Sequence, residues 1–251
     1  MKSIQAWKGI IIALIAGISA ILCISILSRN LLEYKKTSGS GGITATGSAN
    51  CDFESDLIVW RGSFSAYGIT TKEAYAQIKN NAEMTKEYLL QNGVTEEEMV
   101  FNSVNISKHY TSMYDDEGEY IGEYADGYDL YQQVCVTSTD IDKVEKISRD
   151  ITQLIESGVE FSSDSPEYYY TKMDELKLQL IEEATQNAKQ RIDIMAEGTG
   201  GKAGKLLNAN LGVFQITAKN SNSEYSYGGS FDTSSRNKTA SITVKLNYAV
   251  D

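Results

Sequence analysis

Histidine, proline and cysteine are all scarce in this sequence. The 251 residues include one histidine (His109), one proline (Pro166) and three cysteines. So few imidazoles and thiols exclude most multi-ligand zinc sites and histidine-based catalytic pairs. One proline argues against a Pro-rich stalk, and a hydrophobic content of 41% argues against a disordered chain. The sequence therefore predicts a folded chain with no metal and no cofactor.

Basic residues are also outnumbered. The chain has 23 Lys and Arg residues against 34 Asp and Glu residues, which gives a formal net charge of -11. Binding to nucleic acid requires a basic face that neutralises phosphates. We therefore expect no nucleic-acid partner.

One long apolar run lies near the N-terminus. From Gly9 to Leu27 the chain has no charged residue and no proline. As a helix this run would measure about 28 Å, close to the thickness of the hydrocarbon core of a bilayer. Lys2 and Lys8 precede it, and Trp7 stands where an interfacial aromatic would anchor it. The pattern predicts one transmembrane helix that contacts the lipid bilayer.

This span divides the chain into four parts of a single-pass cell-membrane protein. They are a cytoplasmic N-terminus (1–8), an uncleaved signal-anchor (9–27), a polar Ser/Gly tether (28–42) and an extracytoplasmic domain (43–251). A cleaved signal peptide is one alternative, but no small-residue cleavage site follows Leu27. A lipoprotein modified at Cys23 is another, but Leu22 precedes that cysteine where a small residue is expected.

After the tether, strand and helix patterns alternate. The predicted strands are Ile43–Ser48, Asp56–Ala66, Met99–Tyr110, Tyr124–Thr137, Val159–Ser163, Gly212–Ala218 and Thr239–Tyr248. The predicted helices start after Thr70, at Thr139 and at Thr171. This order predicts an α+β fold, in which an antiparallel-rich β-sheet has helices packed on one face and follows the N-terminal transmembrane helix.

Local signals support these elements. Thr70 and Glu73 have the spacing of a capping box, and Gly93 supplies a stop. In the second strand Trp60 and Phe64 share one face, which we expect to be the core face. The second helix is expected to bury a stripe of apolar residues: Ile141, Val144, Ile147, Ile151, Leu154 and Ile155.

Two patterns resemble ligand sites only formally. Gly198-x-Gly200-x-x-Ala203 fits a dinucleotide fingerprint but follows a helix instead of a strand, so we interpret it as a helix exit. The acidic run from Asp115 to Asp129 does not fit a calcium loop counted from Asp115. Its sixth position is Tyr120 where the loop needs glycine, and its twelfth is Asp126 where the loop needs glutamate. We interpret it as a solvated acidic turn and leave weak divalent-cation binding open.

The histidine and the cysteines offer little further chemistry. His109 lies in a strand pattern, and we interpret it as a surface residue, although a nucleophilic pair with Cys51 or Cys135 stays open. Cys51 and Cys135 lie in strand-like stretches, where free thiols behave as small apolar residues. We expect both thiols to be unpaired.

Tyrosine is abundant, with 16 residues against six phenylalanines. Six tyrosines cluster around one predicted hairpin and are our candidate contact surface: Tyr110, Tyr114, Tyr120, Tyr124, Tyr128 and Tyr131. Tyrosine combines a large apolar area with a polar tip, which suits a surface that is exposed part of the time. The alternative interpretation is that these are ordinary half-buried strand positions.

The chain resembles the SIMPL-domain family, which includes bacterial periplasmic immunogenic proteins. Ile43 to Ser48 resembles the first strand of the family, with Gly47 at its glycine position. Gly127-Tyr128 resembles a recurrent Gly-Tyr that opens a middle strand, whereas Ser55 departs from a proline that is frequent before the following aspartate. The resemblance covers about residues 43 to 250. It implies an α+β envelope protein with ring- or channel-like assemblies among its relatives, and it implies no catalytic residues.

Two functional hypotheses follow. In the first, the chain is a non-enzymatic, membrane-tethered envelope protein that acts as a homo-oligomer or binds an envelope protein partner. In the alternative, it is an envelope hydrolase or ligand-binding module with a carboxylate and tyrosine site. An exposed strand edge would favour the first hypothesis, and a cleft of converging carboxylates would favour the second.

Overall fold

The computed structural model describes residues 17–32, 41–221 and 226–250. Residues 17–32 are helical (α1), and the other helices are α2 (Thr71–Gln91), α3 (Ile141–Asp150) and α4 (Met173–Gly198). The strands are β1 (Ile43–Glu54), β2 (Leu57–Gly68), β3 (Met99–Phe101), β4 (Asn105–Tyr114), β5 (Tyr120–Ser138), β6 (Glu160–Ser163), β7 (Glu167–Tyr169), β8 (Ala203–Leu211), β9 (Gln215–Ala218), β10 (Ser230–Phe231) and β11 (Asn237–Val250). Antiparallel pairs dominate, with β9 and β10 parallel. The predicted α+β class is confirmed.

The predicted membrane span is covered in part. Its residues 17–27 are helical, and its residues 9–16 lie outside the described residues. Across the part of the chain that the structure describes, no helix combines the length and the apolarity that a membrane crossing requires. The helix continues to residue 32, so the first five residues of the predicted tether are helical.

The chain forms two compact units. The first comprises Met1–Ala49, Gln179–Gly212 and Ile242–Asp251. The second comprises Asn50–Leu178 and Val213–Ser241.

In the second unit a six-stranded sheet has the order β3-β5-β2-β6, with β4 also paired to β5 and β7 also paired to β2. Trp60 and Phe64 on β2 are fully buried, and they pack in one core with Ile78 of α2 and Val144 of α3. The prediction that Trp60 and Phe64 share the core face is confirmed. We call this side of the sheet the helix face and the other side the open face.

Helix α2 forms as its sequence predicts. The hydroxyl of Thr70 accepts a hydrogen bond from the backbone N–H of Glu73, whose carboxylate accepts one from the N–H of Thr70. Ala74, Ile78 and Leu89 are buried on one stripe. Two reciprocal bonds satisfy otherwise unpaired backbone donors, so the local sequence alone is sufficient to start the helix.

Helix α3 differs from its prediction at both ends. Its N-cap is Asp140, which accepts from the N–H of Lys143, and not Thr139. At Ile151 the α-helix changes to a 3₁₀ helix that ends at Ser157. Because a 3₁₀ helix has three residues per turn, the stripe moves, and Ile155 is 55% exposed where burial was predicted.

The strand predicted from Met99 to Tyr110 is two strands. Residues 102–104 separate β3 from β4, and they lie opposite two residues of β5. The backbone N–H of Asn102 donates to the carbonyl of Gln133 at 2.8 Å, its side chain donates to Oε1 of Gln133 at 3.1 Å, and its carbonyl accepts from Gln132 at 2.8 Å. The extra residue interrupts the pairing with β5 and divides the strand in two.

In the first unit, Gly47 of β1 allows α4 to approach closely. A Cβ atom at Gly47 would lie 2.3 Å from the carbonyl oxygen of Ala184 and 2.3 Å from the backbone nitrogen of Ala188. Strand β8 pairs with the C-terminal half of β11 from Val244 to Val250. Strand β8 has no counterpart among the predicted strands, because most of its side chains are exposed and its hydrophobic pattern is weak.

Candidate functional site

The hairpin of β4 and β5 extends beyond the rest of the six-stranded sheet. Strand β2 pairs with β5 from Tyr128 to Ser138, whereas β4 pairs with β5 from Tyr120 to Tyr131. Residues 109–127 are therefore flanked by no part of β2, and we call them the overhang. An overhang of this kind presents both of its faces and two strand edges, the outer edge of β4 and the edge of residues 120–127 of β5.

The acidic tip of the overhang is a self-contained turn. One carboxylate oxygen of Asp115 accepts from the backbone N–H groups of Glu117 and Glu119, each at 2.9 Å. Gly118 has a positive φ of 85°, which glycine adopts without strain. No group of three or more potential metal ligands is present among the residues that the structure describes. The tip thus has the geometry of a solvated acidic turn.

Strand β4 is an edge strand, and its side chains alternate between the two faces. Ile106 pairs with Leu130, which is buried in the core, so Ile106 lies on the helix face together with Tyr110 and Tyr114. These three side chains are 56%, 51% and 61% exposed. Lys108 is the one Lys or Arg in β4, and the strand contains no Asp, Glu, Pro or Gly.

The six candidate tyrosines do not form one surface. Tyr110, Tyr114, Tyr120 and Tyr128 lie on the helix face, and Tyr124 and Tyr131 lie on the open face. The rings of Tyr114 and Tyr120 meet edge to face with centroids 6.0 Å apart. Tyr128 is half-buried against the core, whereas the other five side chains are exposed.

His109 lies on the open face between two carboxylates. Its Nδ1 is 2.8 Å from Oδ2 of Asp129, and its Nε2 is 4.0 Å from Oδ1 of Asp126. The ring of Tyr67 meets the imidazole edge to face at 5.1 Å. The hydrogen bond to Asp129 raises the pKa of His109 above its ordinary value.

The structure does not bring His109 and Cys135 together. His109 pairs with Gly127, and Cys135 lies eight residues farther along β5. At about 3.4 Å per residue the two positions are about 27 Å apart along the strand. Both Cys51 and Cys135 are free, partly exposed thiols.

The open face also carries an ion pair that the sequence analysis missed. Nη1 of Arg61 on β2 is 2.7 Å from Oε2 of Glu167 on β7, and the hydroxyl of Tyr169 donates to the same oxygen at 3.0 Å. Arg61 holds the pKa of Glu167 below its ordinary value. Arg61 and Glu167 are 106 residues apart in the chain, so no local pattern identifies the pair.

A cleft of the second unit lies at the start of α3, and it contains several carboxylates. Arg236 donates to Glu54 at 2.6 Å and to Asp142 at 2.5 Å. Both oxygens of Asp56 accept hydrogen bonds from Thr171, at 2.7 and 2.6 Å. These carboxylates are already engaged in holding the fold, so none is arranged as a free acid or base.

Ser55 lies in the same cleft, between the end of β1 and the start of β2. Its backbone N–H donates to the carbonyl of Arg236 at 3.0 Å, a bond that proline could not make. Its hydroxyl is buried and has no hydrogen-bond partner in the described part of the chain. The backbone bond ties the residues just before β2 to the residue just before β11.

The glycines of the formal dinucleotide pattern lie between the end of α4 and the start of β8. Gly198 is the last residue of α4, and the strand β8 starts at Ala203. A dinucleotide fingerprint requires a strand before the glycines and a helix after them, and here the order is reversed. This agrees with the interpretation of the motif as a helix exit.

Comparison with known protein families identifies one family. The family model SIMPL, described as "Protein of unknown function (DUF541)", matches residues 43–248. No curated protein matches the chain. The matched range begins at the first residue of β1 and ends at Tyr248, two residues before the end of β11.

Proposed function

The chain belongs to the SIMPL family, and we propose that it is a membrane-anchored envelope protein whose domain acts by contact with other protein chains. In this proposal the domain is not an enzyme, and its contacts are made by the hairpin of β4 and β5. The observation that carries the proposal is the exposed edge of β4, with its large apolar side chains in water. Contiguous exposed apolar side chains on a folded domain are typical of interaction sites.

Helix α1 supports the anchor. Its large apolar side chains are all at least 55% exposed: Ile18, Ile21, Leu22, Ile24, Ile26, Leu27, Leu31 and Leu32. A helix that is apolar on every side is stable when lipid or other apolar helices cover its side chains, because their exposure to water is unfavourable.

The anchor has a direct test. Protease added to intact spheroplasts should degrade the domain while a cytoplasmic marker stays whole. Complete protection of the domain would contradict this topology. Recovery of a mature chain that starts after residue 27 would show that the segment is a cleaved signal instead.

Several observations support contact over catalysis. The carboxylates of the cleft at α3 are bound by Arg236 and Thr171, so hydrolysis there would first require those bonds to break. The overhang, in contrast, has exposed aromatic side chains and a free strand edge. A tethered domain also meets its neighbours at a raised effective concentration, so weak contacts are sufficient.

Assembly is tested on the full chain. Light scattering in detergent should give a mass above that of one chain, and the mass should rise with salt because salt screens the acidic surface. A double variant, Tyr110→Ser with Tyr114→Ser, should lower the mass. Tyr75→Ser is the matched control, because Tyr75 is equally exposed, at 57%, but lies on α2. A single-chain mass at every salt concentration would refute the proposal.

A further inference from the structure

The edge of β4 lacks the features that protect exposed strands from pairing. Natural edge strands carry charges, prolines or bulges that prevent another strand from adding to them. Strand β4 is ten residues long and has Lys108 as its one fixed charge. The irregularities of the hairpin fall in β5, where Asp126 and Ile121 are the extra residues, so β4 itself alternates without interruption.

We propose that a second copy of the chain pairs with this edge, β4 against β4 in antiparallel orientation, with Tyr110 opposite Tyr110 of the second copy. This inference rests on the proposed function and names the surface and the partner. Two identical antiparallel strands that are neighbours in one sheet are related by a twofold axis perpendicular to the sheet. The residue nearest to this axis then lies directly opposite the same residue of the second copy. The two six-stranded sheets then become one continuous sheet, with α2 and α3 of both copies on the same side.

The side chains of β4 are self-complementary in this register. On the helix face Ile106 lies opposite Tyr114 of the second copy, and the two Tyr110 rings meet on the axis. Three exposed apolar positions are thus covered in each copy. Lys108 lies opposite Ser112 of the second copy, so the one fixed charge of β4 meets a neutral group.

Neighbouring symmetric registers are less favourable. With His109 on the axis, two imidazoles of raised pKa would face one another, and Ile106 would lie opposite Ser112. With Lys108 on the axis, two ammonium groups would be opposed and fewer residues would pair. With Tyr110 on the axis, nine residues of each β4 pair and no like charges are opposed.

The charge distribution also favours the antiparallel orientation. The acidic tip starts at Asp115, one residue after β4 ends, so the two tips lie at opposite ends of the paired strands. Nine paired residues separate them by about 30 Å, several times the Debye length of about 8 Å at physiological salt. A parallel arrangement would bring the two acidic tips side by side, where their like charges would repel each other.

The test is a disulfide that forms only in this register. In the full chain with Cys23, Cys51 and Cys135 replaced by serine, Tyr110→Cys places two thiols on the axis. Directly opposed residues have Cα atoms about 4.5–5.5 Å apart, within the range of a disulfide. Ser112→Cys is the matched control on the same face, because two copies of residue 112 would be about 13 Å apart along the strands. Mild oxidation in membranes should cross-link Tyr110→Cys into a dimer and leave Ser112→Cys uncross-linked.

The outcomes separate this inference from the proposed function. If Tyr110→Cys does not cross-link, or both variants cross-link equally, while light scattering still gives an oligomer, this interface is wrong and assembly stands. If the chain has a single-chain mass under all conditions, both fail. The cysteine-free chain must keep the circular dichroism of the wild type, so that loss of folding is recognised.

A charge series tests the same register without cysteines. Ser112→Glu faces Lys108 of the second copy and should tighten association, whereas Ser112→Lys should weaken it. Each dimer contains two such contacts, so the two dissociation constants should differ by about 10-fold. Combining Lys108→Glu with Ser112→Lys should restore association to at least the wild-type level. Equal dissociation constants for the two single variants would overturn the register.

Discussion

The ring of Tyr67 lies in the space that a side chain at Gly127 would occupy. A Cβ atom at Gly127 would be 2.4 Å from Cε2 of that ring. The hydroxyl of Tyr67 donates to the carbonyl of Asp126 at 3.0 Å, and the ring edge meets His109. The absence of a side chain at Gly127 thus allows β2 to contact the base of the overhang.

Gly127→Ala should displace the ring of Tyr67 and weaken that contact. We expect the free energy of unfolding to fall by about 1 kcal/mol, because the ring is partly exposed and can rotate away. Urea denaturation measures the change. Gly198→Ala is the control, since its Cβ would have no atom within 4 Å. An unchanged stability in Gly127→Ala would show that the ring has no structural role.

His109 should titrate above its ordinary pKa of about 6.5. The hydrogen bond to Asp129 favours the imidazolium and raises the pKa in the folded chain. Since the sequence has one histidine, its imidazole proton signals in the NMR spectrum need no assignment. Asp129→Asn should move the midpoint down, and a wild-type midpoint at or below 6.5 would contradict the geometry.

The same shift predicts how stability depends on pH. A raised folded pKa means that the imidazolium contributes stability fully below about pH 6.5 and that this contribution disappears as pH rises through the folded pKa. Denaturation midpoints of the wild type should therefore fall more than those of His109→Asn across this interval. Parallel pH profiles for the two chains would disprove the linkage.

Gly47→Ala should be more damaging than Gly127→Ala. The new methyl group would meet backbone atoms of Ala184 and Ala188, which cannot rotate away, so α4 must shift. We expect a loss of about 3 kcal/mol, at the upper end of the usual cost of overpacking. Thermal melts beside the Gly198→Ala control measure it. A loss equal to that of the control would mean that α4 is not held against Gly47.

All three thiols should react in the unfolded, unreduced chain. Cys51 and Cys135 are free and partly exposed, and Cys23 is free and exposed on α1. Mass spectrometry after labelling in denaturant should show three modifications without reductant. Thiols that react only after reduction would demonstrate a disulfide and contradict the structure.

Local signals in the sequence predicted local structure well. The capping box at Thr70 and the shared face of Trp60 and Phe64 each depend on neighbours within a few residues, and each is confirmed. The ion pair of Arg61 and Glu167 depends on the order of strands in the sheet, and no short segment contains that information.

The tyrosines show how one extra residue changes a surface. Simple alternation along β5 would place Tyr120, Tyr124 and Tyr128 on the same face. Asp126 and Ile121 are extra residues opposite β4, and each reverses the alternation beyond it, so Tyr124 lies on the open face. The cluster was visible in the sequence, but its division between two faces was not.

The unequal lengths of β2 and β5 divide the residues of β5 into two groups. Residues of β5 that are flanked by β2 must fit the core, whereas residues 120–127 pair with β4 alone. Substitutions in the overhang therefore leave the buried packing of Trp60 and Phe64 unchanged. The overhang can thus vary in sequence while the supporting fold is retained, except at Gly127, where the ring of Tyr67 occupies the space of a Cβ atom.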